Sequence, residues 1–175
     1  MDDDPFLTLV VEALNLMHPR FAAGLGRAYG PGDGAAAGRR VLERAFGCEF
    51  YHAVRALWDK AIPVRLGLGH VVVQGEPPGS PLAGGPVPDL LLWKIGERGQ
   101  PDARLGAVSL ALASNPPAVA DAFDVLRRHA AGGYPYAVAV VVGRVAELPD
   151  GGPPRADGVR TLFFNVDRWV AVVAG

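Results

Sequence analysis

The 175-residue chain is half apolar, with 17 Lys and Arg against 18 Asp and Glu and a formal net charge of -1. That length suits one domain, residues 1–175, with a substantial core and is short for two, and the balanced charge excludes a global basic field of the kind that gathers nucleic acid. One cysteine, Cys48, excludes an intramolecular disulfide, no Cys/His spacing suits zinc, and a reducing cytoplasm is the expected compartment. The N-terminus lacks the basic start of a signal peptide and no apolar run approaches the ~20 residues that span a bilayer, so neither processing nor a membrane is expected.

In chain order, Asp2, Asp3 and Asp4 ahead of Pro5 suit a helix start, because acids favour the positive end of the macrodipole and proline tolerates the first turn. The pattern predicts a helix from Pro5 to Met17, resuming through Phe21 to Tyr29, as an N-terminal helical extension or lid over residues 1–30. The stretch Gly30 to Gly38, GPGDGAAAG, reads as a flexible connector to the main α/β body, residues 39–175. From Arg39 to Ala61 the residues Leu42, Phe46, Phe50, Ala53, Leu57 and Ala61 recur at steps of three and four, the spacing of a helix with one buried face.

Pro63 ends that helix, Val64 to Val73 contains a strand, and Gln74 to Pro86 is a Gly/Pro-rich loop. Strands follow at Val87 to Lys94, Leu105 to Ala113 and Ala137 to Val142. A helix from Pro116 to Ala131 lies between the last two, with Asn115 as its cap and Val119, Phe123, Leu126 and Ala130 on one face. Strand, helix, strand implies a parallel crossover, and the near-continuous apolar run AVAVVV fits a sheet covered on both faces. After the disordered-looking loop ELPDGGPPRADG, short strands near Leu162 to Val166 and Trp169 to Val173 extend the sheet. The expected class is α/β, a central mixed sheet flanked by helices.

Two carboxylates stand out. Turning 100° per residue from Leu42 places Glu49 within about 20° of the apolar stripe, and an inward carboxylate requires a metal, an arginine partner or a less buried helix end than the pattern suggests. Asp89 follows Pro88 and opens the run LLLW; a strand-entry residue satisfying backbone donors is the simpler role open to it. On the next strand alternate residues share a face, so Ala107, Ser109 and Ala111 form an uncharged strip of small side chains.

The order of helix acid, Pro-Asp strand, second strand, helix and strand, together with the string CEFYHAVRALW, resembles the PD-(D/E)XK, or restriction-endonuclease-like, superfamily of bacterial nuclease-like proteins. The similarity covers residues 40 to 143. It implies a restriction-endonuclease-like sheet in which Glu49 and Asp89 stand at the metal-site positions, weakly or vestigially, while Ser109 and Ala111 stand where the family has its strand glutamate and lysine. Loss of that acid and lysine removes metal polarisation of the phosphate and charge stabilisation, each worth roughly 10²- to 10³-fold. The resemblance thus implies a degenerate, catalytically inactive protein with a binding or regulatory role, no cofactor, and an unidentified nucleic acid or protein partner.

The alternatives are an active Mg- or Mn-dependent nuclease with relocated residues and a structural or oligomerising subunit, such as a homodimer. Relocation is poorly served: Lys94 lies five residues beyond Asp89 on the opposite face, Glu43 is about 100° from the stripe, and Lys60 is about 16 Å along the helix from Glu49. His52 and His70 do not form a helical metal pair, and GLGRAYG and GLGH lack the setting of a phosphate turn. Arg39, Arg40, Arg44 and Arg55 on the long helix, with Arg127, Arg128 and His129 ending the crossover helix, are solubilising or dipole-complementing residues, or contacts for a phosphate backbone or an acidic partner.

Overall fold

The computed structural model describes residues 4–18, 35–58, 71–75, 87–96, 98, 100–150 and 152–174. Within them, six strands form one sheet in sequential order: β1 Val71–Gly75, β2 Leu90–Lys94, β3 Ala103–Leu112, β4 Tyr136–Gly143, β5 Arg160–Asn165 and β6 Val170–Val173. Strands β1 to β3 are an antiparallel meander, β3, β4 and β5 run parallel, and β6 returns antiparallel to β5. The helices are α1 Pro5–Leu16, α2 Ala35–Trp58 and α3 Pro116–Ala131. The class is α/β with a mixed sheet, as the alternation of apolar strands and amphipathic helices implies.

Alternation along the strands builds two cores. Leu90, Leu92, Val108, Leu112, Val138, Val140, Val142, Leu162 and Phe164 project to one face and pack against Phe6, Leu9, Val10 and Leu14 of α1 and Phe46, Phe50 and Val54 of α2. Leu91, Ala107, Ala111, Ala137, Ala139, Val141 and Phe163 project to the other and pack against Val119, Ala122, Phe123 and Leu126 of α3. The large-residue face carries two helices, while the alanine-rich face fits the bulky side chains of the single crossover helix.

Local chemistry sets the helix ends. The Asp4 carboxylate accepts the N–H groups of Phe6 and Leu7 at 3.0 and 3.1 Å, satisfying donors that the first turn leaves open. Asn115 occupies the N-cap position of α3, but its side chain makes no capping bond, and its carbonyl accepts the Val119 N–H at 3.1 Å instead. α3 stops at Gly132, followed by Gly133 at φ +91°, a conformation that glycine adopts without a Cβ penalty.

Of the two roles open to α1, core or lid, it takes the core: Phe6, Leu9, Val10, Ala13, Leu14 and Met17 are all buried, and Trp169 Nε1 donates to the Met17 carbonyl at 3.0 Å. Two expectations change. α2 begins at Ala35, inside the segment read as a connector, because the alanines of AAAG favour helix more than the flanking glycines oppose it. The ELPDGGPPRADG segment is built rather than shapeless. It starts in the 3-10 turn Val145–Glu147, closes an Ala156–Val159 bridge, and is held to β5 by Thr161 Oγ1 donating to the Pro154 carbonyl at 3.0 Å. The helix expected over Phe21 to Tyr29, the residues Lys60, Pro63 and His70, and most of the loop before Val87 lie outside the described residues, as do the side chains of Arg39, Arg40, Glu43 and Arg44.

Candidate functional site

Glu49 sits on α2 beside the buried stripe rather than within it. Among the described side chains of α2, Phe46, Phe50, Ala53 and Val54 reach the core, with Tyr51 and Leu57 packed at its edge, and Glu49 is half-buried. The centre of the four buried ones lies about 85° round the helix from Glu49 at 100° per residue, so over these turns Glu49 does not take the inward placement expected from Leu42 as reference. Its neighbour Gly47 approaches the Leu110 side chain, which places this turn of α2 over the large-residue face of β3.

Asp89 immediately precedes β2, whose first residue Leu90 pairs with Val108 of β3. Its Oδ2 accepts the N–H of Leu110 at 2.7 Å, extending the β2–β3 ladder past the end of β2 with a side-chain acceptor. Pro88 beside it is buried, so the turn into the strand is fixed from the apolar side. The geometry gives Asp89 a structural task at the strand entry.

Ser109 and Ala111 are each 3% exposed, and Ala107 is fully buried. Ala107 and Ala111 lie in the cluster with Val119, Phe123 and Leu126, and alternation puts Ser109 between them on the same face. Through β3–β4 pairing, Ser109 is opposite Ala139 and Ala111 opposite Val141. Ala107, Ser109 and Ala111 are packed beneath α3.

The sheet therefore lies between Glu49, whose helix packs on one face, and Ser109 and Ala111, which face α3 on the other. The Asp89 carboxylate reaches β3 as the acceptor of a backbone N–H, that of Leu110. The strand positions that the resembled family uses for its acid and lysine offer a divalent ion no ligand here, because Ser109 and Ala111 carry no carboxylate and face α3 rather than α2. Lys94 pairs with Ala103 at the far end of β2, about 17 Å along the strand from Asp89 at ~3.4 Å per residue.

The basic residues expected at the end of α3 separate likewise. Arg127 pairs with Asp124 one turn back, Arg128 is exposed, and His129 is 1% exposed with Nδ1 against the Val125 carbonyl at 2.8 Å. His129 follows Val119, Ala122 and Leu126 at helical spacing, which takes it inward and out of any surface cluster. Its ring meets Tyr134 at 5.3 Å, over which Arg104 lies at 5.9 Å while also donating to the Gly132 carbonyl. Burial pushes the Tyr134 hydroxyl up from its ordinary 10.0, with Arg104 acting in the opposite direction.

No family model, no curated protein and no solved structure matches this chain. No helix among the described residues is long and apolar enough to cross a membrane.

Proposed function

We propose that the chain is a restriction-endonuclease-like domain that has lost catalysis and acts as a binding module for a nucleic acid or protein partner. The observation that carries the reading is the closure of the β3 strip: Ser109 and Ala111, at the positions of the family's acid and lysine, are sealed under α3 at 3% exposure each. A strand acid and lysine acting on a phosphate need a cleft, and here the same face is used for packing. The order of a long helix, an antiparallel three-strand meander, a crossover helix and a parallel fourth strand supports the fold half of the reading.

A second reading, a structural subunit whose small-residue strand face packs an apolar helix or a partner chain, is favoured by the same packing, with this chain's own α3 as the apolar helix. The active-nuclease reading requires a lysine near Asp89, and Lys94 is at the wrong end of its strand. The test is incubation of the full chain with single- and double-stranded DNA and RNA in Mn²⁺ over a range of salt, reading cleavage and retention together. The expected result is no cleavage, with salt-sensitive retention if the partner is a nucleic acid. Cleavage that disappears in both Asp89→Ala and Glu49→Ala overturns the proposal.

A further inference from the structure

The carboxyl ends of the parallel strands carry a feature that the nuclease-like reading does not use. A cavity of about 550 Å³ opens between α3 and the connection from β4 to β5. Its volume is within the ~300–1,000 Å³ of small-molecule sites. Ala113, Val119, Phe123, Val141, Leu148 and Ala156 form its apolar surface. Pro116, Val119, Ala120, Phe123, Asp124 and Arg127 contribute one continuous stripe of α3, spaced by three, four, seven, eight and eleven residues.

The opposite wall is preformed. Leu148 N–H donates to the Val145 carbonyl at 3.1 Å, Gly152 N–H to the Pro149 carbonyl at 2.8 Å, and Thr161 Oγ1 to the Pro154 carbonyl at 3.0 Å. Pro149 and Pro154, both lining the cavity, stiffen the same wall. A site that is already shaped loses little entropy on binding.

The charges at the rim select the ligand. Arg127 is engaged by Asp124, and Glu147 is folded back over Gly143, where its Oε2 accepts the Arg144 N–H at 2.8 Å. Arg155 is exposed at the rim, and no carboxylate among the described residues is within ion-pair distance of it. Pro116 and Pro117 remove two of the backbone donors that a helix start would otherwise offer, which leaves the Arg155 guanidinium as the charged donor at the rim without a carboxylate partner among the described residues. We propose that this cavity binds a small amphipathic anion, with its apolar body against Phe123 and Val141 and its carboxylate on Arg155. The site stands whether or not the nuclease-like reading does.

Biphenyl-4-carboxylate, its neutral carboxamide and the cationic biphenyl-4-methylamine test this on the full chain by calorimetric titration and by ¹H–¹⁵N shifts. The carboxylate is expected to bind, to shift amides around Val119, Phe123 and Val141, and to exceed the amide and the amine by about tenfold. Arg155→Ala should bring the carboxylate down to the level of the amide. Ala120→Trp, at an exposed helix position lining the cavity, should fill it and abolish binding with unfolding unchanged, and Arg128→Ala, off the cavity, should leave binding intact. Absence of binding by all three probes, tighter binding of the amine, or binding indifferent to Ala120→Trp would each overturn the proposal.

Discussion

Replacing Asp89 by alanine removes the acceptor that holds the Leu110 N–H at 2.7 Å. A hydrogen bond to a charged group contributes about 1.5–3 kcal/mol when shielded, and the exposure of Asp89 brings the expected loss to about 1 kcal/mol. For a chain of 175 residues that corresponds to a fall in Tm of about 2–4 °C, and Asp89→Asn, which retains a side-chain oxygen, should lose less. The assay is thermal unfolding in EDTA, repeated with Mn²⁺. A carboxylate kept for a metal behaves differently: its removal leaves the metal-free protein as stable or more so, and the ion stabilises only the wild type, by mass action. An Asp89→Ala protein unchanged in EDTA, beside a wild type that Mn²⁺ stabilises, would refute the structural role argued for this residue.

Ala111→Lys tests the closed strip, since an unpaired ammonium beneath α3 costs several kcal/mol against a total of about 5–15; circular dichroism should show a Tm lower by more than about 10 °C, whereas an open cleft would tolerate the change. Gly106→Ala places a Cβ into the Phe6 ring, which is held by stacking on Tyr136 at 5.2 Å, and urea unfolding should report a loss of about 1–3 kcal/mol. Tyr134 supplies a pH dependence. With its folded pKa raised above 10.0, the unfolded chain gives up the proton first, so stability is full below pH 10 and falls as pH rises above it. Tyr134→Phe should flatten that decline in unfolding measured across the alkaline range.

The elements legible in the sequence are those in which local and tertiary preferences agree. α3 matches its expected ends because Pro116 can only start a helix there and Gly132–Gly133 end it, and the β3 strip follows from a period of two that no register can alter within the strand. What covers the strip was not legible, because the pattern records which residues share a face but not which helix lies on it. Glu49 departs from the expected stripe for a related reason: Leu42 is one end of a long helix, while the buried side chains among the described residues centre between Phe46 and Val54. The cavity beside α3 was hidden by a loop whose glycines and prolines look shapeless. Its signals were the paired prolines before Arg155 and the alanine at position 120 on an otherwise periodic helix.

The proposed loss of catalysis is tested most directly at Glu49 and Asp89, by asking whether they hold a divalent ion. A titration of the ¹⁵N-labelled protein with substoichiometric Mn²⁺ tests it directly, since the paramagnetic ion broadens amides near any site it occupies. The account predicts no selective broadening of Leu90, Ser109, Leu110 or Phe50. Broadening centred on those amides in the wild type, and abolished by both Asp89→Ala and Glu49→Ala, would contradict it.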